Sequence, residues 1–229
     1  MTTMKPGIAE KFLMLAHHPE KGRFLISHLY QQYGFAGALL LDMTIDDRIE
    51  MAEKKLILKP GKDEAESVTG DIASLLSSSV KPRKTEYWIR KLAGRYRKYK
   101  WEILEGLERK RVVRIENRKF LWIIPYRKSY LIESYTRSNI IIQLKNDILF
   151  QKALDGENLA LAGLIHACSM HRILTHDRDE LKKIRKQLKQ IIKESPVADI
   201  VDQTIRQIQA AIMVSVTTAI VASTAGSRH

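Results

Sequence analysis

Cysteine is almost absent. The single Cys168 in 229 residues rules out an internal disulfide and removes any call for an oxidising compartment. Also missing is any long uninterrupted apolar run. The N-terminal MTTMKPGIAEKFLMLAHH carries Glu10 and Lys11 in its first apolar stretch, which does not read as a signal peptide. The most apolar segment, IQAAIMVSVTTAIVAS (208–223), would measure about 24 Å as a helix, short of about 30 Å of hydrocarbon. Gln209 and several Ser and Thr interrupt it, so a buried core helix is expected. Neither internal repeats nor low-complexity tracts occur, and no linker divides the chain. One domain over 1–229 is therefore expected.

Catalytic signatures are missing as well. GxSxG, P-loop and Gly-rich dinucleotide patterns do not occur, and no Asp/Glu pair stands in a recognisable frame. Nothing in the sequence argues for an enzyme or for a cofactor. The best metal candidate is HACSMHRILTHDRD (166–179), with His166, Cys168, His171 and His176. The HExxH spacing is absent there, and on one continuous helix His166 and His171 would stand about 140° apart. These residues read as helix-surface and core side chains, and His17-His18 before a proline as a helix end.

What the chain does have is positive charge in one place. Formal net charge is +13; residues 81–128 hold 17 Lys/Arg against 5 Asp/Glu, whereas residues 1–80 hold 9 against 11. Clustering of that kind points to a polyanionic partner. At the centre of the window lies GRYRKYKW (94–101), four basic residues among three aromatics.

Periodicity predicts an all-α chain for the most part. Expected helices cover Ile8 to His17; 27–45; 72–80, capped by Asp71; 85–94, capped by Thr85; 95–111; and then 134–154, 157–173, 177–194 and 198–222. The second is apolar after Tyr33 and carries Gly34, Ala36, Gly37 and Ala38, small enough for a neighbouring helix to approach closely. Residues 46–60 suggest a two-stranded ribbon, 62–71 a loop, and KPRK (81–84) the close of a helix. VVRIE (112–116) and KFLWII (119–124) flank Asn117-Arg118 as a hairpin, which places Arg118 and Lys119 at the tip and Phe120, Trp122 and Ile124 on one face of a strand. A helix followed by a basic hairpin also imitates a winged helix, so a nucleic-acid binder is the alternative reading, less favoured, beside an interaction scaffold with no lipid role.

Taken in order, the segments resemble the Golgi phosphoprotein 3 family. The resemblance runs from about Ile8 to Ala222 and is carried by EKGRFLISHLYQQYGFAGALLLDMTIDDRIEM (20–51), VTGDIASLL (68–76), YWIRKLAG (87–94), LEGLERKRVVRIENRKFLWI (104–123) and LALAGLIHACSM (159–170). It implies a central helical bundle wrapped by amphipathic helices, with a projecting β-hairpin, and no catalysis. It implies a cytoplasmic, peripheral membrane protein: an adaptor that binds phosphatidylinositol 4-phosphate and holds a protein client. The hairpin would serve self-association and membrane contact. The family's lipid pocket uses a Trp, an Arg and two further basic residues. By the resemblance the two basic positions fall on Arg97 and Lys100, the Trp position on Ser27 and the Arg position on Ala36. Half of that pocket is thus missing, and the expectation is attraction to anionic headgroups in general.

Overall fold

The computed structural model describes residues 6–52, 55–60, 67–194, 204–210 and 212–213, and they form a mainly helical structure with small antiparallel sheets. Its centre is α2 (His28–Ile45). From Gly34 to Leu41 every residue of α2 is buried, which the apolar run after Tyr33 dictates. Packed on it are α1 (Ile8–Ala16), α4 (Thr85–Ala93), α5 (Tyr96–Arg109) and α7 (Gly156–Ala167).

The small residues of α2 set how close those neighbours come. A Cβ on Gly34 would stand 2.6 Å from Phe12 Cζ and 2.4 Å from Cys168 Sγ. One on Gly37 would stand 2.3 Å from Ile208 Cδ1. Ile205, Ile208 and Ile212 are buried at helical spacing, so the described part of the C-terminal apolar segment packs on α2 as expected. Residues 211 and 214–223 of that segment lie outside the described residues. Among the described residues no helix is long and apolar enough to cross a membrane.

Asp42 ties α2 to α1 by accepting hydrogen bonds from the Ile8 and Ala9 N–H groups, the latter at 2.8 Å. It thereby serves the otherwise orphaned donors of the first turn of α1 from another helix. Burial pushes its carboxyl up to about 6 against these bonds, which pull the other way. A second tie is the buried ion pair between Lys11 and Glu157 of α7.

The ribbon proves to have three strands. β1 (Ile49–Ala52) pairs with β2 (Lys55–Leu58), and β2 pairs in turn with β3 (Arg83–Lys84). KPRK therefore forms a short edge strand instead of ending a helix. α3 (Val68–Ser77) starts earlier than expected, because Ser67 Oγ accepts from the Gly70 N–H at 3.0 Å and takes the capping role assigned to Asp71. Lys84 holds the cap position of α4, with Thr85 buried in its first turn.

The largest departure is the second hairpin. β4 (Val113–Phe120) pairs with β5 (Ile124–Leu131) in the register Val113↔Leu131 through Phe120↔Ile124. The turn is Leu121–Ile123, beyond Asn117-Arg118, and β5 runs through Pro125 to Leu131, where the second strand was expected to have ended at Ile124. Trp122 is consequently a turn residue, not the middle of an apolar strand face, and Arg118 and Lys119 sit on β4 short of the tip. Asn117 looked like a turn former, yet continuing the strands to Phe120↔Ile124 adds paired backbone groups. In a ladder of two strands Pro125 costs little, since its nitrogen can face outward. α6 (Tyr135–Leu149) and α8 (Arg178–Glu194) follow, with helical residues again at 204–210; α7 ends at Ala167, and a separate 3-10 turn, His171–Ile173, replaces its expected continuation.

Candidate functional site

Helical spacing sorts the alternation in GRYRKYKW. Tyr96 and Tyr99 are three apart on α5 and both are buried, while Arg97 and Lys98 fall on the exposed side. Tyr96 anchors the stretch: its hydroxyl donates to Gln31 Oε1 at 2.7 Å, and its ring meets Phe35 edge-on at 5.6 Å. Burial pushes its phenol pKa well up. On the far side of Tyr96 the His28 ring stands edge-on at 5.5 Å.

Between the start of α2, α5 and the hairpin lies a cavity of about 560 Å3. Its aromatic part is Tyr96 and Trp101; its cations are Arg97, Lys100, Arg118 and Arg127. His28, Asn117, Pro125 and Tyr126 complete the lining among the described residues, none of them acidic. Arg127 lies over the Trp101 indole, Cζ to centroid 4.3 Å, and its Nη2 bonds Glu105 at 2.8 Å from behind. Arg118 is held by Glu116 at 2.6 Å. Among the described residues Arg97 and Lys100 have no carboxylate partner.

Lys100 is surrounded by rings: its Nζ is 4.7 Å from the Trp101 centroid, 5.0 Å from Tyr96 and 5.7 Å from Phe24. Such faces attract a cation, but burial, helped by Arg97 and Arg127, still lowers its pKa to about 8. The native site thus holds this proton less tightly than the unfolded chain, whose value is 10.5. Folding stability gains from Lys100 as pH rises through that window, and an anion in the cavity reverses the penalty. Anion binding is expected to weaken as pH rises between about pH 7 and about pH 9. Lys100→Arg, which stays charged throughout, should flatten the profile in vesicle co-sedimentation. A wild-type profile that is flat over the same range would contradict the role given to Lys100.

The sequence-expected residues divide. Arg97 and Lys100 meet in the cavity, and Arg118 joins them. Ser27 is the N-cap of α2, one residue before the lining His28, and is not itself part of the lining. Ala36 is 1% exposed in the core and belongs to helix packing, not to the cavity. Trp101 and Arg127 went unrecognised: the first lay in plain sight within GRYRKYKW, whereas the second faces the cavity only in the register Asn117↔Arg127. At the turn, Leu121, Trp122 and Ile123 are 69%, 92% and 81% exposed, with Ile124 beside them at 57%. Leu121 and Trp122 also take positive φ, 49° and 65°, a conformation bulky residues seldom adopt.

Of the four candidate metal ligands, His166 and His171 do approach, Nδ1 to Nε2 3.2 Å, because the chain folds back after α7. Burial lowers both pKa values, that of His171 to about 4. Cys168 is buried with its thiol toward the Tyr30 carbonyl, and His176 is exposed. Among the described residues no group of three such side chains is placed to hold a metal.

A helical protein with a cationic, aromatic-lined cleft beside an exposed apolar turn is the class these features define. The chain belongs to the Golgi phosphoprotein 3 (GPP34) family, whose profile matches residues 8–208. Comparison with curated proteins gives no match.

Proposed function

We propose that this protein is a non-catalytic, peripheral membrane adaptor of the cytoplasm. It takes the phosphate of anionic phospholipid headgroups into the cavity of Arg97, Lys100, Arg118 and Arg127, with the apolar turn of the projecting hairpin set into the membrane. The helical bundle would present a protein client on its remaining surface. The observation that carries this reading is one arrangement: four cations in a cavity with no acidic lining among the described residues, two from α5 (Arg97, Lys100) and two from the hairpin (Arg118, Arg127) that also exposes Leu121, Trp122 and Ile123. Cations near an anionic surface contribute roughly 1 kcal/mol each, and the exposed turn supplies apolar area for the acyl boundary.

One observation favours a second, narrower reading. Arg127 over Trp101 brings an indole and a guanidinium into the cavity from α5 and β5, the two groups that Ser27 and Ala36 do not provide. A cleft so furnished suits a phosphomonoester such as that of phosphatidylinositol 4-phosphate.

Vesicle co-sedimentation at matched charge tests both. Arg97→Ala with Lys100→Ala is expected to weaken binding to phosphatidylglycerol, cardiolipin and phosphatidylinositol 4-phosphate vesicles by roughly 30-fold, and added salt to weaken it further. An equal loss on all three supports charge-driven binding. A strong preference for the phosphoinositide, abolished by the pair, supports the narrower reading. Failure of the wild-type protein to bind any of them, or a preference for duplex DNA offered in competition, overturns the lipid reading.

A further inference from the structure

The excess charge of residues 81–128 is not all spent on the first cavity. A second cavity, of about 700 Å3, opens between β2, β3 and the first turns of α4, and shares no lining residue with the first. Among the described residues five cations line it, Lys55, Lys81, Arg83, Lys84 and Arg90, against one acid, Glu86. Glu86 is already engaged by Arg90 at 2.9 Å. Among the described residues no carboxylate pairs with Lys81, Arg83 or Lys84.

Strand register makes the crowding worse. Lys55 and Lys84 are direct partners across β2 and β3, which brings two ammonium-bearing side chains to one face of the strands. At the same place α4 begins, its cap residue Lys84 giving no side-chain cap hydrogen bond, and the partial positive charge of a helix end adds to that of the side chains. One wall is Tyr87, 41% exposed, with the Arg83 guanidinium 5.2 Å from its ring centre. Such packing restrains the planar fork that binds phosphate oxygens two at a time. Crowded cations, a helix start and a restrained Arg suit the same thing, a compact multivalent anion.

We propose that this cavity is a second phosphate-binding site, independent of the first, in which Arg83, Lys84 and Lys81 hold a phosphate or diphosphate group at the start of α4. The shared chemistry is the phosphate oxygen; a soluble phosphate compound or a lipid headgroup can supply it.

Calorimetric titration of the full chain with inorganic pyrophosphate is the test. Wild type is expected to show two classes of site. Arg83→Ala with Lys84→Ala should remove one class, with at least roughly a tenfold loss of affinity there, and leave the class that Arg97→Ala with Lys100→Ala removes. These side chains are exposed, and Lys84→Gln with Arg83→Gln, alongside unchanged far-ultraviolet dichroism, guards against a folding artefact. Phosphatidic acid vesicles separate the sources. A parallel loss of vesicle binding in the Arg83/Lys84 variant assigns the site to a headgroup, and unchanged vesicle binding assigns it to a soluble phosphate. An unaltered pyrophosphate stoichiometry in that variant overturns the proposal, whatever the first cavity does.

Discussion

Replacing Trp122 with Ser should release the protein from anionic vesicles by a factor of roughly 30 or more, while leaving pyrophosphate binding in solution untouched. The indole is 92% exposed at a turn held in positive φ, so removing it costs the fold nothing in packing. Burying such a side chain in an acyl boundary is worth about 2 kcal/mol. Emission supplies an independent readout: Trp88 is buried and Trp101 half-buried, so a blue shift on adding vesicles reports mainly Trp122 and should vanish in the variant. If instead vesicle binding persists and an oligomer dissociates, the turn is a self-association surface and its membrane role is wrong.

Gly34→Ala should lower stability by about 2 kcal/mol, and the melting temperature by about 4–8 °C for a chain of this size. Helix propensity alone argues for the opposite sign, since alanine gains close to 1 kcal/mol over glycine within a helix. Space decides the outcome, because the new methyl would sit 2.4 Å from Cys168 Sγ and 2.6 Å from Phe12 Cζ, and neither buried group has room to retreat. Gly106→Ala on α5 is the control. Its methyl meets only Arg109 Nη2, at 3.8 Å, so stability should rise by about 0.5–1 kcal/mol. Equal signs for the two variants in thermal denaturation would contradict close packing at Gly34.

The contrast explains what the amino-acid order made legible. α2 could be read because apolarity after Tyr33 and small residues at 34, 36, 37 and 38 leave few alternatives to a central, closely approached helix. Arg97 and Lys100 could be read because i,i+3 spacing on a helix fixes a shared face. The turn and register of the hairpin could not, although its existence could. Asn117-Arg118 carries a local turn signal, whereas the actual turn, Leu121–Ile123, is made of residues that local preference assigns to strands. Only pairing along the whole of β4 and β5 moves the turn there, and that energy is not local. The cavity inherited the same blindness, because Arg127 reaches Trp101 only once the register is known. Ala36 misled for a different reason: matching positions along a sequence does not carry a side chain from the core to the surface.

The root of the hairpin is firmly held. Val113 and Leu131 are buried, and Ser129, also buried, meets His17 Nε2 at 3.1 Å at the end of α1. In the proposed membrane role the ladder would therefore act as a gauge. Three residue pairs separate Phe120↔Ile124 at its end from Asn117↔Arg127 at the cavity, about 10 Å at 3.3 Å per residue. That is comparable to the roughly 5–10 Å by which an interfacial segment enters the boundary between headgroups and acyl chains. With the apolar end seated at that depth, Arg118 and Arg127 come level with the phosphates. Charge and depth are then measured by one stiff element, so a surface with the right charge but packed too tightly to admit the turn would hold the cations out of register.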